Sequence, residues 1–184
     1  YKVYGEDGAQ MSPEATKIVV GFIEKITDYL SVTGDETSKL IVSVPKEVDD
    51  TYIEALKKLT LSAEAVKKCG KDLKLVYTPV HGSGYVPVTR ILKELGINVT
   101  VVKEQTTKDT EFSTVAVPNP EFKETLSMGI ALANKIDADV VFGTDPDSDR
   151  LGVAVKNEKG EFVALSGNQG GLHRVAQCHR RSQV

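Results

Sequence analysis

Apolar residues along this chain fall into two kinds of run. Ile18, Val19, Phe22, Ile23, Ile26, Tyr29 and Leu30 step mostly by three and four, which predicts a long amphipathic helix over 13–30. Ser12-Pro13-Glu14 opens it, with a capping hydroxyl, a proline that suits the first turn and an acid at the positive end of the helix dipole. Ahead of it, residues 1–10 read as a short strand broken by Gly5 and Gly8. Behind it lie a polar loop over 31–38 and a short strand, Leu40 to Val44, closed by Pro45. Residues 49–69 read as helical: Asp49 or Asp50 caps, and Ile53, Leu56 and Leu59 share a face. Ala63, Val66 and Cys69 continue after a break, and Gly70 ends the segment.

From residue 73 the pattern alternates. Leu73 to Tyr77 is a strand, His81-Gly82-Ser83-Gly84 a turn, and Tyr85 to Leu95 a helix stopped by Gly96. Ile97 to Val102 is a second strand. A loop over 103–120 holds Pro118-Asn119-Pro120, and Glu121 to Ile136 is a helix with Leu126, Ile130, Leu132 and Ile136 inward. Val140 to Phe142 is a third strand. Apolar strands alternating with helices imply crossovers and a parallel sheet. Beyond residue 150, Leu151 to Val155 and Glu161 to Leu165 flank Asn157-Glu158-Lys159-Gly160, a β-hairpin. The expected fold class is α/β: a three-layer domain whose mostly parallel sheet is flanked by helices, plus that hairpin. Ligands of such sheets bind beyond the carboxyl ends of the strands.

Composition narrows the function. With 23 Lys and Arg against 26 Asp and Glu, the net charge of −3 gives no basic field for nucleic acid, and the lysines are scattered. A hydrophobic share of 40% with 27% charged residues suits a packed core rather than disorder. No apolar run reaches the roughly 18 residues of a membrane span. Tyr1-Lys2-Val3-Tyr4 resembles no signal peptide and carries no initiating Met. Cys69 and Cys178, the two cysteines, form no CxxC pattern, so a reducing cytoplasm is the expected compartment.

The sharpest chemical feature is Gly143-Thr144-Asp145-Pro146-Asp147-Ser148-Asp149-Arg150. Three carboxylates at every second position follow a buried strand. In extended backbone they share one face and converge. Three such groups repel unless a cation sits among them, and hard oxygen donors select Mg2+ or Ca2+. Arg150 offers a fork for a pair of phosphate oxygens. A metal beside an arginine at a strand's carboxyl end is a phosphoryl-handling arrangement. A calcium EF-hand loop from Asp145 fails, because Arg150 and Lys156 stand where Gly and Glu are needed. A haloacid-dehalogenase-type phosphatase with Asp145 as nucleophile fits less well. Its motif wants Thr or Val at Asp149, and it comes first rather than last in the α/β run. A non-catalytic interaction domain is the third reading.

Thr144 to Arg150 resembles the metal-binding loop of the α-D-phosphohexomutases, the phosphoglucomutase and phosphomannomutase superfamily. Four other stretches agree with it in order. Tyr1 to Gln10 resembles the stretch after the family's phosphoserine loop, and Tyr77-Thr78-Pro79-Val80-His81-Gly82-Ser83-Gly84 its second-domain turn. Pro118-Asn119-Pro120-Glu121 resembles the loop before its metal strand, and Gly167-Asn168-Gln169 the opening of its third domain. Together they point to the larger bacterial branch, over residues 1–170.

This resemblance implies a Mg2+-dependent enzyme in which a phosphoserine passes its phosphoryl group to a hexose phosphate and is rephosphorylated from the bisphosphate. Asp145, Asp147 and Asp149 would hold Mg2+, and Arg150 would contact phosphate. It also implies a division into 1–45, the end of a first domain, 46–166, a metal-binding second domain, and 167–184, the start of a third with an atypical tail. No Ser-His-Asn-Pro stretch occurs in the sequence, so no catalytic serine is assigned and this chain alone is expected to be inactive. Its partners would be hexose phosphate and the missing parts of domains one and three and domain four, with neither nucleic acid nor membrane. Beyond Gly171 the family pattern stops. His173, Arg174, Cys178, His179, Arg180 and Arg181 resemble a shifted reading frame, are expected to fray, and make an incomplete zinc set.

Weaker signals have structural readings. His81-Gly82-Ser83-Gly84 could cradle an anion, yet Pro87 stands where the dinucleotide motif wants glycine, so a tight turn is expected. His81 reads as a hydrogen-bonded loop histidine, Tyr77 as packing, Asn119 as a bond to local backbone, and Glu6 and Asp7 as solvated.

Overall fold

The computed structural model describes residues 2–172, which divide between Val44 and Pro45 into two compact units. In the first unit, α1 (Pro13–Ile23) starts as its sequence dictates, with the Ser12 hydroxyl accepting the Ala15 N–H at 3.2 Å. It ends at Glu24, short of the expected Leu30. Asp28 competes with the helix. Its carboxylate accepts the Leu30 N–H at 3.0 Å and sets off a separate 3-10 turn, Tyr29–Ser31. No residue of α1 is buried, and Ile18, Phe22 and Ile23 are exposed. The two expected strands of this unit do not form. Tyr4 and Gln10 make one isolated bridge around a turn at Gly8, and Leu40 to Val44 is irregular and exposed. A strand needs a neighbour for its backbone groups, and among the described residues this segment has none.

The second unit is the α/β domain. Its order is α2 (Lys46–Lys58), α3 (Ala63–Cys69), β1 (Lys74–Thr78), α4 (Tyr85–Glu94), β2 (Asn98–Val101), α5 (Ser127–Ile136), β3 (Val140–Thr144), β4 (Leu151–Lys156) and β5 (Phe162–Leu165). The sheet runs β2-β1-β3-β4-β5. β1 pairs parallel with both β2 and β3, and the β4–β5 hairpin extends the same sheet antiparallel.

Strand alternation sorts the core into two layers. Val76, Val141 and Ala154 face one way and pack with Val102, Leu126, Ala133 and Phe162 beneath α5. Leu75 and Tyr77 face the other way and pack with Leu92 of α4 and Phe142. Truncating fully buried Leu126 to Ala would cost roughly 2–5 kcal/mol.

Two helix starts differ from the sequence pattern, each for a local reason. α2 starts at Lys46 behind Pro45, and Asp50 does not cap it but pairs with Lys46 and Arg90. α5 starts at Ser127 rather than Glu121. Residues 121–126 make successive turns, in which Phe122, Thr125 and Leu126 donate to carbonyls three residues back.

The topology places the site. From β1 the chain crosses to β2 on one side through α4, then to β3 on the other side through α5. The direction of winding therefore reverses between β1 and β3, and the crevice beyond their carboxyl ends is the switch point of the sheet. Thr78 of β1 lies in register with Gly143 of β3, so the loops that leave these strands start side by side.

Candidate metal centre

The aspartate segment leaves β3 at that crevice, in a conformation the spacing alone does not give. It is a tight turn rather than extended backbone. The Ser148 N–H donates to the Asp145 carbonyl at 3.0 Å, Pro146 occupies the second position, and Ser148 takes a left-handed φ of 62°. This turn brings Asp145, Asp147 and Asp149 together: one carboxylate oxygen of each lies within 4.8 Å of the others. That spread is about twice a divalent metal–oxygen distance of ~2.1–2.4 Å, and three hard anionic donors suit Mg2+ or Ca2+. The donor set fits a divalent cation.

The electrostatics lean the same way. Asp145 is only 7% exposed, whereas Asp147 and Asp149 are exposed. Burial pushes the Asp145 carboxyl above its ordinary range, against the backbone N–H of Arg150, which lowers it; the charges of Asp147 and Asp149 and a side-chain hydrogen bond with Asp149 push it further up. A cation among the three reverses that penalty. Arg150 serves the turn twice. Its N–H donates to Asp145 Oδ1 at 3.0 Å, and its Nε stands 3.8 Å from Asp145 Oδ2 and 3.9 Å from Asp149 Oδ1. Those side-chain distances are ion-pair separations longer than a hydrogen bond. Arg150 borders a cleft of about 720 Å³ lined also by Asp149, Glu121, Phe142 and Ser166, within the size of a small-molecule site.

Two residues read only as packing or turn in the sequence hold this loop. The Tyr77 phenol lies 2.8 Å from the Thr144 hydroxyl, one residue ahead of Asp145. Ser83 donates its N–H to the Pro146 carbonyl at 2.9 Å and its hydroxyl to the same oxygen at 3.1 Å. The approach is so close that a Cβ on Gly82 would meet the Pro146 backbone at 2.5 Å. A signal for this existed in the two glycines flanking Ser83 after a strand, but nothing in the sequence says what they approach. The anion-cradle reading of this turn fails, since the Gly82 and Ser83 N–H groups already donate to the Pro79 and Pro146 carbonyls.

His81 is a buried loop histidine, held at a φ of 61°. Its Nδ1 lies 2.8 Å from the Thr107 carbonyl and its Nε2 2.7 Å from the Thr114 hydroxyl, pinning the long loop after β2. The carbonyl can only accept, so Nδ1 is the donor in that bond. Gln105 joins the same network, bonding Thr114 and Thr78. Asn119 Oδ1 accepts the Glu121 N–H at 3.1 Å, a local backbone bond as expected. Asp7 accepts the Ala9 N–H within a turn. His173, Cys178 and His179 lie outside the described residues.

The family model described as "Phosphoglucomutase/phosphomannomutase, alpha/beta/alpha domain II" matches residues 50–160, which contain β1, β3 and the aspartate turn. A phosphoglucomutase of Staphylococcus epidermidis strain RP62A is 39% identical over 173 residues, covering 91% of this chain and 31% of that protein. A phosphoglucomutase of Staphylococcus aureus strain MRSA252 is 35% identical over 172 residues, covering 91% and 30%. The chain thus spans about a third of the length of the curated relatives it matches. A solved chain from Thermus thermophilus shares the fold, with a TM-score of 0.53 at 21% identity, over 84% of this chain and 32% of that one. By the match over most of its α/β unit, this chain belongs to the phosphoglucomutase/phosphomannomutase family and carries that family's second domain.

Proposed function

We propose that the full-length protein is a Mg2+-dependent phosphoglucomutase/phosphomannomutase acting on hexose phosphates, and that this chain supplies its metal centre. The carrying observation is the convergence of three carboxylate oxygens within 4.8 Å at the switch point of the sheet. The names of the relatives support the substrate class. Asp145, Asp147 and Asp149 hold the ion, and Asp145, buried and bonded to the Arg150 N–H, is the fixed ligand of the three. Arg150 binds phosphate oxygens in the cleft it borders. Bound Mg2+ offsets the negative charge that gathers on a transferring phosphoryl group.

Residues 1–45 are the end of a first domain, 46–166 the second and 167–184 the start of a third. Because the sequence holds no Ser-His-Asn-Pro stretch, the phosphoserine belongs elsewhere in the full-length protein, and this chain alone does not run the cycle. The enzyme works in a reducing cytoplasm, a reading supported by two cysteines in no CxxC pattern. Among the described residues no helix is long and apolar enough to cross a membrane.

The test uses both lengths of protein. Asp147→Asn in the full-length enzyme lowers glucose 1-phosphate turnover by at least about a hundredfold, roughly 2.7 kcal/mol of transition-state stabilisation. The 184-residue chain turns over none. Turnover by that chain sinks the placement of the serine elsewhere. Hydrolysis of a generic phosphate ester by it, abolished in Asp145→Asn, favours the phosphatase reading instead.

A further inference from the structure

Two backbone donors close the aspartate segment from within: Ser148 N–H bonds the Asp145 carbonyl and Arg150 N–H bonds the Asp145 carboxylate, while the side chains of Asp147 and Asp149 are exposed. Like charges so close drive the carboxylates apart before an ion arrives. Something must therefore hold the empty turn near its binding shape, or metal binding bears the cost of closing it.

Beside the Tyr77–Thr144 bond at its start, the turn between β1 and α4 offers such a support. Ser83 places both its donors on the Pro146 carbonyl, inside the aspartate turn. Gly82 lets the two backbones touch. Gly84 makes a second close approach. A Cβ there would stand 2.5 Å from Ser148 Oγ, 2.7 Å from the Tyr77 phenol oxygen and 2.8 Å from Thr144 Oγ1. Three hydroxyls thus close over a position that only a hydrogen leaves open. One of them, Ser148 Oγ, is buried and has no hydrogen-bond partner among the described residues. A turn free to relax would turn that hydroxyl out to water. It stays inward because Ser148, held at a φ of 62°, is packed against the glycine.

We propose that Ser83 is a positioning residue for the metal site, acting through the Pro146 carbonyl, with Gly84 as the seat on which the aspartate turn rests. Divalent-ion affinity is then set partly by residues that never touch the ion. This deepens the metal reading of Asp145, Asp147 and Asp149 and rests on it. Neither Ser83 nor Gly84 is a ligand or a group that reaches substrate. Their effect is to keep the spacing of the carboxylates before the ion binds.

The experiment titrates the 184-residue chain with Mn2+ alone, following free ion by electron paramagnetic resonance. Wild type binds, and Asp147→Asn binds at least about tenfold more weakly, which tests the metal reading itself. Ser83→Ala weakens Mn2+ binding roughly tenfold, within the range seen when support around metal ligands is removed, while Ser83→Thr restores it. Because Ser83 is exposed, its loss leaves the thermal midpoint nearly unmoved. In the metal-free chain Ser83→Ala also shifts the Asp147 and Asp149 amide resonances, which a role limited to stability would leave in place. Gly84→Ala gives a larger loss of affinity; if it does not fold, Ser83→Ala decides. Wild-type affinity in Ser83→Ala overturns the positioning role and leaves the metal site standing. No Mn2+ binding by wild type up to millimolar concentration overturns both.

Discussion

The phenol of Tyr77 and the hydroxyl of Thr144 stand 2.8 Å apart, joining the end of β1 to the residue that launches the aspartate turn. Tyr77 has no exposed surface, and burial pushes its phenol from an ordinary 10.0 up to about 12, with the Thr144 bond pulling slightly back. A folded-state value above the unfolded one means the bonus is complete below pH 10 and disappears as pH rises toward about 12. Wild type loses about 2–3 kcal/mol across that window, and Tyr77→Phe removes this part of the slope. Urea melts of both proteins at pH 8, 10 and 11.5 check it, and parallel losses in the two defeat the assignment. At pH 8 the substitution itself costs about 1 kcal/mol for the lost hydrogen bond.

Asp145→Asn separates binding from stability. The amide oxygen still accepts the Arg150 N–H, but the charge that burial disfavours is gone. Because the folded carboxyl sits above its ordinary value, ionised Asp145 weakens the metal-free fold at neutral pH. Stability is regained as pH falls through the folded value toward the ordinary 3.8. The variant therefore melts above wild type without metal at pH 7 and gains nothing from Mg2+, whereas wild type is raised by it. Thermal melts with and without 10 mM Mg2+ (about that concentration) check both signs.

Gly152 of β4 lies directly against Pro120. An added Cβ would overlap the Pro120 carbonyl oxygen and stand 2.7 Å from its ring Cβ. Gly152→Ala must push the 118–120 loop off the sheet, and destabilises by roughly 1–3 kcal/mol, as overpacking does. Urea denaturation measures this. A loss below about 0.5 kcal/mol, the scale of an ordinary surface change, means the loop yields freely.

Arg90 ties α4 to α2. It bonds Asp50, and also Glu94 at 2.8 Å, while Lys57 bonds Glu94 as well. Hydrogen bonds from Lys46 and Arg90 hold Asp50 below its ordinary 3.8, and those from Lys57 and Arg90 hold Glu94 below 4.5. Lowered carboxyls stabilise above their unfolded values, and that contribution fades as pH drops through the folded ones, below about pH 4. All these groups lie at the surface, so salt weakens the link too. Hydrogen exchange in α2 speeds up on acidification or in 1 M salt (roughly a 3 Å Debye length) and less so in Arg90→Ala, where the link is already cut. Equal acceleration in both proteins removes Arg90 from the account.

Much of this protein is legible in its one-dimensional pattern. Alternation of apolar strands and helices from Lys74 to Ile136 gave the α/β class, and the β4–β5 hairpin followed from Asn157 to Gly160 between two apolar runs. These elements bury their own faces against one another, so local periodicity and final packing agree. The acidic triplet was legible as a cluster too: the three aspartates singled out by their spacing do bring carboxylate oxygens within 4.8 Å of one another. What the pattern could not supply was anything that depends on a distant partner. Residues 40–44 have strand composition and form no strand, since a strand exists only beside another. The aspartates meet through a turn, not through extended alternation. Their place is fixed by Ser83, Gly84 and Tyr77, some sixty residues earlier in the chain. Spacing singled out the three aspartates; only the parallel pairing of β1 with β3 brought Tyr77 and Ser83 within hydrogen-bond range of their turn.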